Sequence, residues 1–148
     1  MKGRDDKDFI AILRNYGVQV TFQRLAIFQT LFLINEEHPS ADVIYQQVKK
    51  RFPMISVGTV YKTLEKFYEV GLIQKVSPIT EVARYEATAD PHHHMVCLKC
   101  QSIQDADAVV EEPQISVSEQ NGFQVVRQQV FLHGYCPACK GRVGDSKS

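Results

Sequence analysis

The 148-residue sequence predicts an α+β fold made of two domains, and three patterns predict it. Apolar residues at helical spacing, each run preceded by a capping residue, dominate the first half. A strand–turn–strand pattern closes that half. The second half alternates as strands do and holds all four cysteines of the chain. We therefore predict an N-terminal helical domain over residues 1–87, a hinge at 88–91 and a small α/β domain over 92–148.

Four segments of the first domain carry the signals of amphipathic helices. The first, residues 8–16, stops before Gly17, and the others begin at the N-caps Thr21, Ser40 and Ser56. The core is expected to contain Phe9, Ile10, Leu13, Leu25, Phe28, Leu31, Phe32, Val43, Ile44, Val48, Val57, Val60, Leu64 and Phe67. The fourth helix then exposes a small, hydroxylated and basic face: Gly58, Thr59, Tyr61, Lys62, Thr63 and Lys66. Such a face suits a helix in the major groove of DNA, although a solvated helix face is the alternative.

Two strands follow the fourth helix, over residues 72–76 and 82–87, around a turn at 77–81. Helices followed by such a hairpin form a winged helix-turn-helix, in which Lys75 and Arg84 are expected to contact the DNA backbone. The net charge of the whole chain is zero, with residues 1–88 at +2 and residues 89–148 at −2. DNA binding would therefore depend on a local cluster of residues or on bound cations.

The four cysteines form two pairs of identical spacing, Cys97 with Cys100 and Cys136 with Cys139, separated by 35 residues. Both sulfurs of such a pair can reach one tetrahedral ion, so the set predicts a structural zinc site. A redox motif or a disulfide is the alternative for a single pair. The charged residues 1–8 and the lack of an apolar run of roughly 20 residues predict a cytoplasmic protein with no membrane segment, where thiols stay reduced.

Three consecutive histidines precede the first cysteine pair. Strand alternation places His92 and His94 on one side of the segment and His93 on the other. Two imidazoles on one side can bind a metal ion, and a solvated histidine run is the alternative. Six sulfur and imidazole donors exceed the capacity of one tetrahedral ion, so we predict two separate metals.

The rest of the second domain is less strongly patterned. Strands are expected over 92–96, 102–107 and 122–132, and a helix over 109–119. A domain this short has a small core. We therefore expect zinc to add stability and a second copy of the chain to cover the apolar strands.

These features resemble the ferric uptake regulator (Fur) family of bacterial metal-dependent repressors. The resemblance covers nearly the whole chain, through VTFQR at 20–24, HPSAD at 38–42, SVGTVY at 56–61, the HHHMVCLKC run and the last cysteine pair. It implies a homodimer on double-stranded operator DNA, with the fourth helix in the major groove and Tyr61 touching bases. The expected DNA contacts are Arg24, Ser56, Gly58, Thr59, Tyr61, Lys62, Thr63, Lys66, Lys75 and Arg84.

The resemblance also implies a regulatory metal site with ligands from both domains: His38, Glu86, His92, His94 and Asp105. These donors suit Fe(II), Mn(II) or Zn(II), and Fe(2+) or Mn(2+) is the expected regulatory ion beside structural Zn(2+). One ion bound to both domains would favour one angle between them and, in a dimer, one distance between the recognition helices. Bound metal would thus permit repression.

The sensed signal is peroxide, iron or zinc. Peroxide-responsive members typically carry aspartate at the position of Asp105, where iron-responsive members carry glutamate, but at the position of Glu86 the preference is reversed. The resemblance favours a peroxide sensor, because the Asp105 position is the one tied to oxidation. In that reading, oxidation at Fe(II) modifies His38 or His92 and releases DNA. An iron- or zinc-responsive uptake repressor is the alternative.

Other roles have less support. A further family site is poorly supported, because Gln128 stands where a histidine is often found and only His93 and Glu112 remain; His133 is expected to be structural. An enzyme would need an open coordination position beside a substrate pocket, and neither is indicated, so no small-molecule substrate is predicted. A zinc-ribbon interaction module without DNA binding is a remote alternative, against which the basic face of the fourth helix argues.

Overall fold

The computed structural model describes residues 3–76, 82–87, 92–106, 122, 124 and 129–142. The chain divides into two compact units, Met1–Ala89 and Asp90–Ser148. The predicted turn at 77–81, hinge at 88–91 and helix at 109–119 lie outside the described residues. Within the described ranges, none of the helices combines the length and apolar character that a membrane span requires.

The first unit contains four α-helices: α1 Asp6–Asn15, α2 Phe22–Leu33, α3 Ala41–Arg51 and α4 Val57–Glu69. The predicted N-caps Thr21, Ser40 and Ser56 are confirmed, since each side chain accepts a hydrogen bond from a backbone N–H in the first turn of its helix. Helix α1 begins two residues earlier than expected, because Asp5 and Asp8 form a capping box. A short 3-10 helix, Asn35–Glu37, connects α2 to the segment before α3.

Aromatic side chains connect three of these helices in the core. Phe28 on α2 makes edge-to-face contacts with Phe9 on α1 and Phe67 on α4, at centroid distances of 5.7 and 5.8 Å. Two expected core residues are instead exposed, Val43 at 39% and Val57 at 41%. Val43 is rotated by about 100° from the buried Ile44 next to it. Val57 opens α4, and its side chain points back past the start of the helix, away from the core.

A hairpin of two short strands follows α4. Strand β1, Gln74–Val76, pairs antiparallel with β2, Arg84–Glu86, with Lys75 opposite Tyr85. Both strands are shorter than expected and lie inside the predicted ranges. The capped helices and this hairpin form a winged helix-turn-helix, as predicted.

The second unit contains a mixed three-stranded sheet of β3 His93–Cys97, β4 Ile103–Ala106 and β5 Phe131–Gly134, in the order β4-β3-β5. Strand β3 pairs antiparallel with β4 and parallel with β5. The predicted third strand over 122–132 is wrong in both bounds where the structure describes it: β5 begins at Phe131 and continues to Gly134, and residues 123 and 125–128 lie outside the described ranges. The two units together are an α+β chain, as the sequence predicts.

Candidate metal centres

The four cysteines meet where β3 and β5 end side by side. The parallel pairing places Gly134 opposite Cys97 at the ends of the strands. Each Cys-x-x-Cys pair then closes a turn: the carbonyl of Cys97 accepts from the N–H of Gln101, and that of Cys136 accepts from the N–H of Cys139, both at 2.9 Å. Backbone geometry therefore places all four thiols at one point.

This sulfur cluster, comprising Cys97, Cys100, Cys136 and Cys139, has the dimensions of a tetrahedral zinc site. One ligand atom from each residue lies within 4.8 Å of all the others. The sulfurs of Cys100 and Cys136 are 3.7 Å apart. A zinc ion with bonds of about 2.3 Å to sulfur separates its ligands by about 3.8 Å, so the spacing fits. None of the four cysteines forms a disulfide, which agrees with the zinc interpretation.

Hydrogen bonds prepare two of these thiols for deprotonation. Backbone N–H groups, first that of Cys100 and then that of Cys136, lower the pKa of Cys97 to about 6. Hydrogen bonding to Ser102 lowers the pKa of Cys100. The neighbouring sulfur of Cys136, with burial, raises the pKa of Cys139 to about 12. A fourth negative charge is therefore costly in this cluster unless a cation balances it.

The first unit holds two side chains that could bind a metal ion, His38 and Glu86, here called the loop pair. Nε2 of His38 lies 3.3 Å from Oε2 of Glu86, and both side chains are almost wholly buried. His38 lies between the 3-10 helix and α3, and Glu86 lies on β2. Asn35 supports the end of β2, because its Oδ1 accepts the N–H of Ala87 at 2.6 Å.

The second unit holds the sheet group of His92, His94 and Asp105. Oδ1 of Asp105 lies 3.2 Å from Nε2 of His92 and 3.7 Å from Nε2 of His94. The two imidazole rings are 4.5 Å apart, so the expectation that they share a side is confirmed. Asp105 is opposite His94 across the strand pair, which is why the sheet brings them together.

Contacts behind His94 fix the direction of its ring. His94 is fully buried, and its ring stacks on Phe131 at 5.6 Å. Its Nδ1 lies 3.4 Å from the side-chain amide of Gln129, which leaves Nε2 facing Asp105. An outer partner of this kind orients a metal-binding histidine. The sequence reasoning missed Gln129 and Asn35, since neither follows a ligand spacing.

The five expected regulatory ligands thus form two groups, one in each unit. Each group contains imidazole nitrogen and carboxylate oxygen, a mixture that suits iron, manganese or zinc better than it suits a sulfur-selective metal. The chemistry of both groups fits a divalent cation.

The predicted DNA-binding face of α4 is only partly exposed. Gly58, Tyr61, Lys62 and Lys66 are exposed, and Tyr61 is 43% accessible. The expectation that Thr63 is exposed is wrong: it is 6% accessible and lies at the edge of the buried stripe. Its small side chain packs where a charged one could not. Val57, assigned to the core, lies on the exposed side instead.

Several other expected DNA contacts have partners inside the first unit. Arg24 Nη1 donates to the carbonyl of Gln19 at 2.9 Å, and the hydroxyls of Ser56 and Thr59 are 2.9 Å apart. Lys75 Nζ lies 2.6 Å from Glu65 and 4.6 Å from the ring centre of Tyr68. Arg84 Nη1 donates to the carbonyl of His38 at 3.1 Å.

Comparison with known proteins identifies the family to which this chain belongs. The sequence profile of the ferric uptake regulator family matches residues 15–133. The chain belongs to the ferric uptake regulator family. It is therefore a metal-dependent, DNA-binding transcriptional regulator and not an enzyme. Membership explains why a winged helix and side chains suited to metal binding occur in one chain.

Individual members of the Fur family match over nearly their full lengths. The peroxide-responsive repressor PerR of Staphylococcus epidermidis is 34% identical over 139 residues, 90% of this chain and 89% of the relative. The transcriptional regulator FurA of Mycobacterium tuberculosis is 37% identical over 136 residues, 89% of this chain and 90% of the relative. The structure of the Campylobacter jejuni peroxide stress regulator superposes with a TM-score of 0.67 at 31% identity, covering 88% of this chain and 98% of the other.

Proposed function

We propose that this Fur-family chain is a peroxide-responsive repressor, in which one regulatory ion binds the loop pair and the sheet group together. The observation that carries the proposal is the division of the donors between the two compact units, with each group already gathered around a carboxylate. Two carboxylates and three neutral imidazoles carry a charge of about −2, which one divalent cation balances.

Burial strengthens the argument for a cation. Glu86 and His38 are 1% accessible, and an ionised carboxylate in such a place is unfavourable unless a positive charge or hydrogen bonds compensate it. His94 is equally excluded from water. Iron or manganese as the regulatory ion, and zinc in the sulfur cluster, follow from the two sets of donors.

The positions of the loop pair explain how metal binding would affect DNA binding. His38 precedes Ser40, the N-cap of α3, and Glu86 lies on the wing strand β2. Helices α3 and α4 are in contact, and Ile44 on α3 and Leu64 on α4 both lie in the core. An ion that ties these elements to the second unit favours one arrangement of the winged helix, and DNA binding selects that arrangement.

Peroxide response is supported by the identity of the shared carboxylate and by the PerR relative. Asp105 is the aspartate expected in peroxide-responsive members, and it contacts both histidines of the sheet group. Bound Fe(II) would reduce hydrogen peroxide and supply a short-lived oxidant beside its ligands. His38 and His92 are the side chains expected to gain oxygen, and an oxidised imidazole binds metal poorly.

A homodimer is supported by the outer face of the sheet. Met95 and Leu132 are paired neighbours on the face opposite His94, and they are 42% and 40% accessible. Tyr135 and Leu98, also half-exposed, lie beside the sulfur cluster. An apolar face of this kind is expected to be covered, and a second copy would also supply the second recognition helix that a symmetric operator requires.

The proposed DNA contacts are the exposed residues of α4, above all Tyr61, Lys62 and Lys66, with Ser56, Gly58 and Thr59 at its start. Arg24 and Lys75 are the proposed contacts outside α4. The protein would act in the cytoplasm, on double-stranded operator DNA.

The decisive experiment is peptide mass spectrometry on protein loaded with Fe(II) or with Mn(II) and then exposed to a small dose of hydrogen peroxide. We expect a gain of one oxygen on the peptides holding His38 or His92 with iron and no gain with manganese. The exposed His133 is an internal control that should stay unmodified.

An iron-responsive repressor is the second candidate, favoured by Glu86, the glutamate expected at this position in iron-responsive members. In that case iron-loaded protein would keep all its histidines intact, and DNA binding would follow the concentration of Fe(II) alone. Unmodified histidines in protein with iron demonstrably bound would therefore overturn the peroxide proposal while leaving the metal-dependent repressor in place.

A further inference from the structure

His38 is held in a left-handed backbone conformation. Its φ and ψ are 46° and 65°, and among the described residues Gln101 is the one other non-glycine with positive φ. This region is unfavourable for a residue with a Cβ atom and persists only where surrounding contacts enforce it. Whatever enforces it at His38 also determines where the imidazole points.

Strand β2 supplies the enforcing contacts. Arg84 Nη1 donates to the carbonyl of His38 at 3.1 Å, and the N–H of Tyr85 donates to the carbonyl of Pro39 at 2.9 Å. Ser40 and Arg84 then form an antiparallel bridge. Three consecutive residues before α3 are thus attached to one wing strand.

Strand β2 contacts both the backbone carbonyl and the imidazole ring of His38. Arg84 and Glu86 are two residues apart on β2, so their side chains leave the same face of the strand. The Arg84 guanidinium holds the backbone carbonyl of His38, while the Glu86 carboxylate lies 3.3 Å from its ring. A change at Arg84 would therefore alter the direction of the imidazole without touching it.

We propose that Arg84 is a positioning residue for the regulatory metal rather than a contact to DNA phosphate. The inference rests on the proposed regulatory site. A charge-assisted hydrogen bond to the carbonyl holds the left-handed conformation, which aims His38 at Glu86. Because Ser40 also caps α3 through the N–H of Val43, the contact links the ligand to the helix-turn-helix.

The test compares Arg84→Gln with Lys66→Gln, which removes one positive charge from the exposed face of α4. We expect Arg84→Gln to lower the Mn(II) affinity by about tenfold or more, as removal of an outer partner does at metal sites. At saturating Mn(II), the salt dependence of its DNA binding should equal that of the wild type. Lys66→Gln should keep the Mn(II) affinity and lower the salt slope by about 1 for each phosphate that the lysine neutralises in the wild type.

A second readout needs no metal. In metal-free protein, the His38 Cα and Cβ chemical shifts should leave their left-handed values in Arg84→Gln, and the Tyr85 amide should exchange faster with solvent. Signals from the core around Phe28 should stay unchanged. Wild-type His38 shifts in the variant, or a reduced salt slope with unchanged Mn(II) affinity, would overturn the proposal.

The same series separates this inference from the proposed function. If His38→Ala binds Mn(II) as the wild type does, the regulatory site itself is wrong. If His38→Ala loses Mn(II) and Arg84→Gln does not, only the role of Arg84 is wrong. If Arg84→Gln does not fold, Arg84→Lys distinguishes the two roles of Arg84. A positioning role predicts that Arg84→Lys binds Mn(II) more weakly, whereas a phosphate contact predicts wild-type Mn(II) affinity.

Discussion

The sulfur cluster and the two histidine–carboxylate groups show opposite ways of building a metal site. All four sulfurs come from one unit, and two backbone turns bring them together. The other ligands are divided, with the loop pair in the first unit and the sheet group in the second. In the proposed account, ligands from one unit alone hold the structural ion, whereas the regulatory ion needs ligands from both units.

Electrostatics sharpen the contrast. The sulfur cluster meets backbone N–H groups that stabilise thiolate, and the pKa of Cys97 is lowered to about 6. The divided groups instead place imidazole beside carboxylate, and three of their five side chains, those of His38, Glu86 and His94, are buried. The first arrangement suits a structural ion, and the second suits a regulatory ion that binds and dissociates.

The largest effect should come from Cys97→Ser. The variant loses a thiolate at the end of β3, and structural zinc in small domains contributes about 10–16 kcal/mol to folding. We expect the zinc to be absent, the second unit to unfold and the proposed dimer to dissociate, as measured by metal analysis, circular dichroism and gel filtration. Ala138→Ser, a matched small change at an exposed residue inside the second cysteine pair, should retain its zinc. A folded, zinc-free Cys97→Ser protein would show that the cluster is not structural.

Asp105→Glu should reduce the response to peroxide without abolishing metal-dependent DNA binding. The added methylene displaces a carboxylate that lies 3.2 Å from His92, and displacements of about 1 Å at a reacting centre cost up to about 100-fold in rate. We expect oxidation of His38 and His92 by peroxide to fall by about tenfold or more, while Mn(II)-dependent DNA binding persists. Oxidation at the wild-type rate would remove Asp105 as the marker of peroxide response.

Lys62→Gln should weaken DNA binding without changing the binding of zinc or of the regulatory ion. Its side chain lies on the exposed face of α4, outside all three metal-binding groups. We expect weaker DNA binding and a salt slope lower by about 1 for each phosphate that Lys62 neutralises, with zinc content and Mn(II) affinity unchanged. A fall in Mn(II) affinity would mean that α4 takes part in the metal site.

The smallest effect should come from Thr63→Val. The change replaces a hydroxyl by a methyl group of similar size, so we expect the unfolding free energy to change by about 1 kcal/mol. Because Thr63 is buried, we expect unchanged DNA affinity at saturating metal. Thermal unfolding and a DNA titration measure the two quantities. A clear decrease in DNA affinity in a stable variant would restore Thr63 to the DNA-binding face.

Local rules made much of this molecule predictable. Thr21, Ser40 and Ser56 cap their helices because a side-chain oxygen before an apolar run satisfies backbone N–H groups that the helix leaves open. The cysteine spacing likewise predicts the sulfur cluster, since each pair needs only one turn. The alternation of the histidine segment predicts that His92 and His94 share a side.

Features that depend on contacts between distant residues could not be predicted from the sequence. Helical spacing places Val57 and Thr63 on opposite edges of one stripe, and only the packing of α4 shows that the threonine is buried. The left-handed His38 accepts a hydrogen bond from Arg84, which is 46 residues away in the chain. Gln129 reaches His94 only because β5 runs parallel to β3.

The measurement that tests the divided site most directly is the Mn(II) affinity of four proteins: wild type, His38→Ala, His92→Ala and the double variant. His93→Ala, on the other side of β3, is the matched control. If one ion binds both units, each single substitution lowers the affinity by about 100-fold or more, and the double variant loses little beyond that, because the first substitution already disrupts the shared site. Two independent effects that add, or a wild-type affinity in either single variant, would contradict the account.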